Sequence, residues 1–379
     1  MIERGLGLYV HLPYCPARCP YCDFNAKTYN HREVRRLLAG LALHLERIAP
    51  LARGRPLASV YFGGGTPAML PATALAALLA RARGFMGLAP KAEVSLEANP
   101  GALSRGKLAA LFSAGFNRLS LGAQSFSPEL LAGLGRRHSP DDTRRAVAHA
   151  REAGFGNINL DLILGLPGQS AAQAASDVAG ALALGPEHVS LYELTLSPDT
   201  PFGRRYVKGR APLPSEDELA AMEQRALAAL AAAGLERYEV SNFARPGFEC
   251  RHNQNTWAGG DYLALGPGAH GHLKGVRWAW LADPTAFCAA IEAGQEPYDF
   301  REELTPGQRA LELVMLGLRT THGVELAALA AVLGDSPRRV YATALNELQA
   351  QGWALIRQGR LIPTSQGLAM ADAAAGLFV

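Results

Sequence analysis

Through the first two-thirds of the chain, short apolar runs alternate with longer stretches of helical periodicity. The runs 6–12, 58–62, 92–98, 118–123, 157–164 and 188–194 are rich in apolar and β-branched residues and bounded by Gly, Pro or Asn, which predicts strands. Between them, 31–48, 71–83, 104–113, 141–153 and 171–184 read as helices. Ser104 and Ser139 stand where N-caps belong, because a serine oxygen accepts from the free amides of a first turn. Gly115 and Gly154 follow the last apolar turn of their segments, as left-handed C-caps do. Strict β-α alternation implies a parallel sheet joined by right-handed crossovers. Six units, with a seventh ending near Val240, imply an α/β fold built as a TIM-like (β/α)6 barrel or part of one. An open doubly wound sheet is the alternative.

The pattern breaks in a Pro- and Gly-rich stretch, 198–214. A helix is predicted over 215–233, then an irregular, aromatic-rich stretch over 238–280. Beyond about residue 305 the sequence turns helical, over 306–318, 324–333 and 337–351. The apolar segments 353–356 and 360–363 follow, with Gly359 between them. Helices leading into a short hairpin predict a mostly helical, winged-helix-like C-terminal domain. The expected division is 1–240 for the barrel, 241–300 for a connecting segment and 301–379 for the C-terminal domain.

Composition narrows the function classes. A chain of 379 residues that is 49% apolar and 19% charged has ample material for a core and argues against disorder. The 37 basic residues against 34 acidic ones leave a net charge of +3, too little and too dispersed to expect a nucleic-acid partner. No apolar run approaches the ~20 residues that span a bilayer. The start, Met1-Ile2-Glu3-Arg4, leads into no uninterrupted apolar stretch, so no signal peptide is expected and the protein is placed in the cytoplasm. Five cysteines in a chain this long make no disulfide framework.

Three of those cysteines lie within eight residues, Cys15-Pro16-Ala17-Arg18-Cys19-Pro20-Tyr21-Cys22. Three thiolates on one short loop can reach a single metal centre. Structural zinc takes four ligands, usually as two separated pairs, and no second pair is present. An iron–sulfur cluster accepts thiolates readily, and a four-iron cube on three thiolates keeps one iron open for chemistry or for a small molecule. The loop follows the first predicted strand at its carboxyl end, where β/α barrels build their sites. The other strand ends carry polar chemistry too: Gly63-Gly64-Gly65-Thr66-Pro67, Glu97-Ala98-Asn99-Pro100, Gln124-Ser125-Phe126, and Asp161 inside an apolar run. A carboxylate in a buried strand is costly unless it is paired or bound. A three-glycine turn lets another group approach the backbone. Gly266-Pro267-Gly268-Ala269-His270-Gly271 matches G-x-G-x-x-G literally, but no helix is expected after it, which sets a dinucleotide site aside.

Tyr9-Val10-His11-Leu12-Pro13-Tyr14-Cys15, the cysteine triplet and the 63–67 turn together resemble radical S-adenosylmethionine (SAM) proteins. The resemblance covers nearly the whole chain and is closest to the oxygen-independent coproporphyrinogen III oxidases and their relatives, the HemW haem chaperones. It implies a partial (β/α)6 barrel, a [4Fe–4S] cluster on Cys15, Cys19 and Cys22, and SAM chelating the open iron. Carried over by motif, Tyr9, Tyr21 and Phe24 belong to the SAM pocket, and Gly64, Gly65 and Thr66 to the turn at the SAM amino-acid end. Glu97, Gln124, Arg136 and Asp161 match polar residues of the same pocket.

Two departures point to the chaperone branch. Where the oxidases continue to a fourth cysteine, this chain has Phe24, and it lacks the oxidases' extension ahead of the first strand. In addition, His252-Asn253-Gln254-Asn255-Thr256-Trp257 resembles the H-N-x-x-Y-W signature of the chaperones, with Thr256 in place of Tyr. The resemblance makes His252 a haem ligand. The implied partners are haem or a porphyrinogen and haem-acceptor proteins, with peripheral membrane contact and a homodimer left open. Oxidative decarboxylation of coproporphyrinogen III to protoporphyrinogen IX is the competing, enzymatic reading.

Overall fold

The computed structural model describes residues 5–206 and 213–379. The reading of Met1 to Arg4 as no signal peptide, and 207–212 of the Pro- and Gly-rich stretch, lie outside the described residues.

Six parallel strands form the frame: Leu6–Leu12, Leu57–Gly64, Leu88–Ala98, Arg118–Gln124, Ile158–Leu164 and His188–Glu193, each hydrogen-bonded to the next. They are called the first to sixth strands below. Five starts and five ends of these strands fall within one residue of the expected ranges. The third begins at Leu88, four residues early. Helices cross between the strands, and their boundaries have local causes. Ser104 accepts from the Lys107 amide, and Ser139 forms a reciprocal capping box with Asp142. Gly115 and Gly154 close their helices in the left-handed conformation.

The seventh unit expected near Val240 is corrected. Asn242–Ala244 there pairs antiparallel with the sixth strand. The seventh parallel strand is Tyr262–Leu265, and it lies at the opposite edge, beside the first strand. The hairpin strands His270–Leu273 and Val276–Trp280 and the edge strand Tyr298–Glu303 extend that edge antiparallel. Residues 241–300, expected as a connector, thus supply five strands to the main sheet. The sheet has twelve strands, and its two ends do not pair with each other among the described residues. It is a partial barrel with all parallel strands ending at one mouth.

Helix His31–Ile48 packs on the strand Tyr262–Leu265 and on helix Pro284–Glu292. His44 is sealed between them, edge-on to Trp280 at 4.7 Å and to Phe287 at 5.2 Å, with neither ring nitrogen bonded. The C-terminal unit has its own apolar cluster, from Ala310 to Phe378. Its helices Pro306–Gly317, Leu326–Leu333 and Ala342–Ala350 surround a three-stranded sheet of Val324–Glu325, Arg360–Pro363 and Ala354–Arg357. The hairpin turn stands where Gly359 placed it.

Candidate functional site

The six strands bring their carboxyl ends around one cavity of about 320 Å³. The inward-facing positions are polar at every second residue: Glu93, Ser95 and Glu97 on the third strand, Arg118, Ser120 and Gln124 on the fourth, Asn159 and Asp161 on the fifth, Ser190 and Tyr192 on the sixth. Twelve of the fourteen residues singled out in the sequence line this cavity: Cys15, Cys19, Tyr21, Cys22, Phe24, Gly64, Gly65, Thr66, Glu97, Gln124, Arg136 and Asp161.

The cysteine loop leaves the first strand and is pinned at both ends. Tyr14–Cys15 pairs with Lys27–Thr28, and the Tyr29 amide donates to the Cys15 carbonyl at 2.8 Å. Inside the loop the Cys22 amide donates to the Cys19 carbonyl at 3.1 Å. Burial pushes the Cys15 and Cys22 thiols up. A chain of hydrogen bonds joins the loop to the strand ends. Thr66 Oγ1 donates to Cys15 Sγ at 3.5 Å and accepts from Asn99 Nδ2 at 3.1 Å. Asn99 Oδ1 accepts from Arg136 Nη1 at 2.7 Å, and Arg136 Nη2 donates to the Tyr21 hydroxyl at 2.9 Å.

The glycine turn presses directly on this loop. A Cβ on Gly65 would stand 2.7–2.9 Å from the Tyr14 backbone, so only glycine allows that approach. Glu97 accepts from the Tyr61 hydroxyl at 2.8 Å and from the Gly64 amide at 3.1 Å. Burial nevertheless pushes its carboxyl up to about 7. Burial also raises Asp161, which accepts from Asn159 Nδ2 at 2.7 Å. Gln124 reaches the cavity from a left-handed backbone, φ 66°. Phe24 stands at the mouth, 61% exposed.

Two of the expected residues stand apart from the cavity wall. Tyr9 is not on the cavity wall. Its hydroxyl is 3.1 Å from His11 Nδ1, and its ring stacks on Tyr61 at 6.1 Å. His252 lies near the amino ends of the strands, away from the mouth. It is 6% exposed, Nδ1 is 3.0 Å from Ser59 Oγ, and the ring stacks on Tyr61 at 5.3 Å. Burial holds its pKa down at about 4, so the ring is neutral. Tyr61 covers one face of the imidazole, Tyr262 meets it edge-on, and Nε2 has no hydrogen-bond partner among the described residues. The next residue of the same motif, Asn253, does line the cavity from below.

Sequence reasoning passed over Tyr61, Arg118 and Asn242, and quoted Asn99 and Asn253 only as parts of motifs without assigning them to the pocket; all five are on the cavity wall. The period-two polar positions inside otherwise apolar strands carried the signal for Tyr61 and Arg118.

The donor set suits the expected groups. Three thiols share the cavity without gathering at single-ion distance among the described residues. In a four-iron cube on three thiolates, each thiolate binds a different iron. A carboxylate at Glu97, a guanidinium at Arg136 whose Nε has no partner, and Asp161 offer complements to an ammonium, a carboxylate and ribose hydroxyls.

Residues 9–177 match the Radical SAM superfamily, and residues 304–370 match the HemN C-terminal domain. The solved structure of the Escherichia coli coproporphyrinogen III oxidase shares the fold, with a TM-score of 0.86 over 100% of this chain and 91% of that one, at 23% identity. Fold, cysteine loop and cavity together define a radical SAM protein, a class that carries a [4Fe–4S] cluster and SAM. Several relatives carry the printed name Heme chaperone HemW. The chain is 38% identical over 367 residues to that of Mycobacterium tuberculosis, covering 96% of this chain and 94% of the relative. It is 41% identical over 312 residues to that of Escherichia coli, covering 78% and 81%. It is 35% identical over 374 residues to that of Bacillus subtilis, covering 98% of both. The chain belongs to the HemW family.

Proposed function

We propose that this protein is a haem carrier: it binds haem and delivers it to acceptor proteins, with the cluster on Cys15, Cys19 and Cys22 and SAM against Glu97, Arg136 and Asp161. The observation that carries the reading is the single cavity in which the three thiols meet the polar strand ends, in a chain whose full-length relatives bear the name of haem chaperones. Phe24 adds to it. A solvent-facing phenyl ring stands where an oxidase has a fourth cysteine, and it offers a flat apolar surface at the mouth.

The test is made on anaerobically reconstituted protein. Haem is titrated by absorbance, and transfer to a haem-free acceptor is followed in the same cuvette. Saturable binding followed by transfer supports the carrier. Multiple turnovers of coproporphyrinogen III to protoporphyrinogen IX with SAM and a reductant would make the protein an oxidase instead. His252→Ala belongs in the same series. If His252 ligates the iron, the helix Arg251–Trp257 must move to uncover it, and the variant loses haem affinity. Unchanged affinity removes His252 from the haem site.

A further inference from the structure

The carboxylates of the barrel lumen all have hydrogen-bond donors. Glu93 accepts from the Arg251 amide at 3.0 Å, the His252 amide at 3.3 Å and Cys250 Sγ at 3.4 Å. Glu97 has Tyr61 and Gly64, and Asp161 has Asn159. The cation among them is left without an acceptor. Arg118 is 2% exposed, its Nε has no partner, and no carboxylate lies within 4.0 Å of it among the described residues. A buried polar group stays unpaired only at a cost, so this one faces either water or a ligand.

Its depth is fixed by register. Glu97 stands opposite Ser120, and Arg118 lies two residues nearer the amino end of the same strand, opposite Ser95. It therefore lies one inward-facing layer beneath the residues that meet SAM. Tyr61, opposite Ser95 on the other side, lies in the same layer, and Asn242 and Asn253 line the same cavity.

We propose that Arg118 anchors a carboxylate-binding floor in the lumen, a second ligand subsite beneath the SAM residues. The planar guanidinium fork matches a carboxylate with two parallel N–H groups, and the amides of Asn242 and Asn253 line the same cavity. The ligand is an organic acid. Its carboxylate comes either from a propionate arm of a tetrapyrrole entering through the mouth or from a small free acid. The tetrapyrrole source rests on the carrier reading above; the floor itself does not.

The experiment uses cluster-reconstituted, SAM-saturated protein and sodium propionate as the probe, against sodium chloride at equal ionic strength. Propionate is expected to raise the melting temperature saturably beyond the effect of chloride. Arg118→Met is expected to abolish that rise, and Arg118→Lys to weaken propionate at least tenfold. Cluster absorbance and circular dichroism report whether each variant is folded. If Arg118→Met does not fold, the lysine variant carries the test. A wild-type shift no larger than with chloride, an equal shift in a folded Arg118 variant, or a shift that appears only in a parallel SAM-free sample overturns the proposal. The last result would give Arg118 to the carboxylate of SAM itself. A second arm compares haem with its dimethyl ester. At least tenfold weaker ester binding in the wild type, with the difference gone in Arg118→Lys, makes the tetrapyrrole propionate the source. Equal binding makes the source a small free acid. Propionate binding in a protein that takes up no haem leaves the floor standing and removes the carrier reading.

Discussion

Asp177 holds Ser125: both carboxylate oxygens are 2.8 Å from Ser125 Oγ, and one also accepts from the Phe126 amide at 2.5 Å. The two residues lie on different βα units, Asp177 on helix Ala171–Leu182 and Ser125 just past the fourth strand. The bond fixes the turn that puts Gln124 at φ 66°, a conformation that costs a non-glycine residue roughly 1 kcal/mol. Gln169 Nε2 is a further donor to Asp177 at 3.2 Å. Asp177→Ala strands these donors in a buried site. A loss of about 3 kcal/mol in urea unfolding is expected, with weaker SAM binding as Gln124 swings away. SAM affinity equal to the wild type would show that the turn does not aim Gln124.

If Glu97 meets the ammonium of SAM, SAM binding depends on pH. Its carboxyl titrates at about 7, and only the carboxylate form attracts an ammonium. SAM affinity should rise as pH climbs through 6 and 7, by at most about tenfold per unit, and level off above about 8. Glu97→Gln should flatten that profile and bind weakly throughout. Calorimetric titration of SAM from pH 5.5 to 8.5 checks both. A wild-type profile flat across that range removes Glu97 as the ammonium's partner.

His44 makes the fold acid-sensitive. Its folded pKa is held at about 3 by burial, far below its ordinary 6.5. The unfolded chain takes the proton first as pH falls below 6.5, so stability drains from 6.5 downward, by roughly 4 kcal/mol at pH 3. His44→Phe keeps the edge-on packing against Trp280 and Phe287 and removes two unpartnered nitrogens. It should gain about 1 kcal/mol at pH 7. Relative to the wild type it should gain steadily more at lower pH. Parallel slopes for the two proteins between pH 6.5 and 4 would refute this account.

Gly65→Ala tests the contact between the glycine turn and the cysteine loop. The added carbon meets backbone atoms of Tyr14 at 2.7–2.9 Å, and backbone cannot swing aside as a side chain can. A cost of about 2 kcal/mol is expected, with slower or incomplete cluster reconstitution. Gly84→Ala, where the added carbon meets nothing within 4 Å, is the matched control and should be neutral or slightly stabilising.

The frame of the fold was legible because its signals are local. Apolar runs cut off by Gly, Pro or Asn marked the first six strands, and serine and glycine caps marked the helix ends. The strand Tyr262–Leu265 was hidden because its partner, the first strand, is about 250 residues away, and nothing nearby announces a parallel pairing. The cavity was half legible. The thiols and the glycine turn lie on contiguous motifs. Arg118 and Asn242 become lumen residues only once the strands are registered. His252 shows the limit most clearly: its motif names an available ligand, and only the packing of Ser59, Tyr61 and Tyr262 around it reveals the enclosure.

The first strand carries the cysteine loop, yet Leu57–Gly64 covers only one of its edges and Tyr262–Leu265 covers the other. On a ribosome adding about 5–20 residues per second, the second edge stays bare for roughly 10–50 s after the first strand has emerged. During that interval the cysteines already hang from a strand with open backbone amides and carbonyls, a surface that invites pairing with any passing chain. Protein synthesis therefore creates a window in which the thiols are accessible and the barrel is unfinished. The order of strands in the sheet makes cluster insertion and protection from aggregation one problem in time.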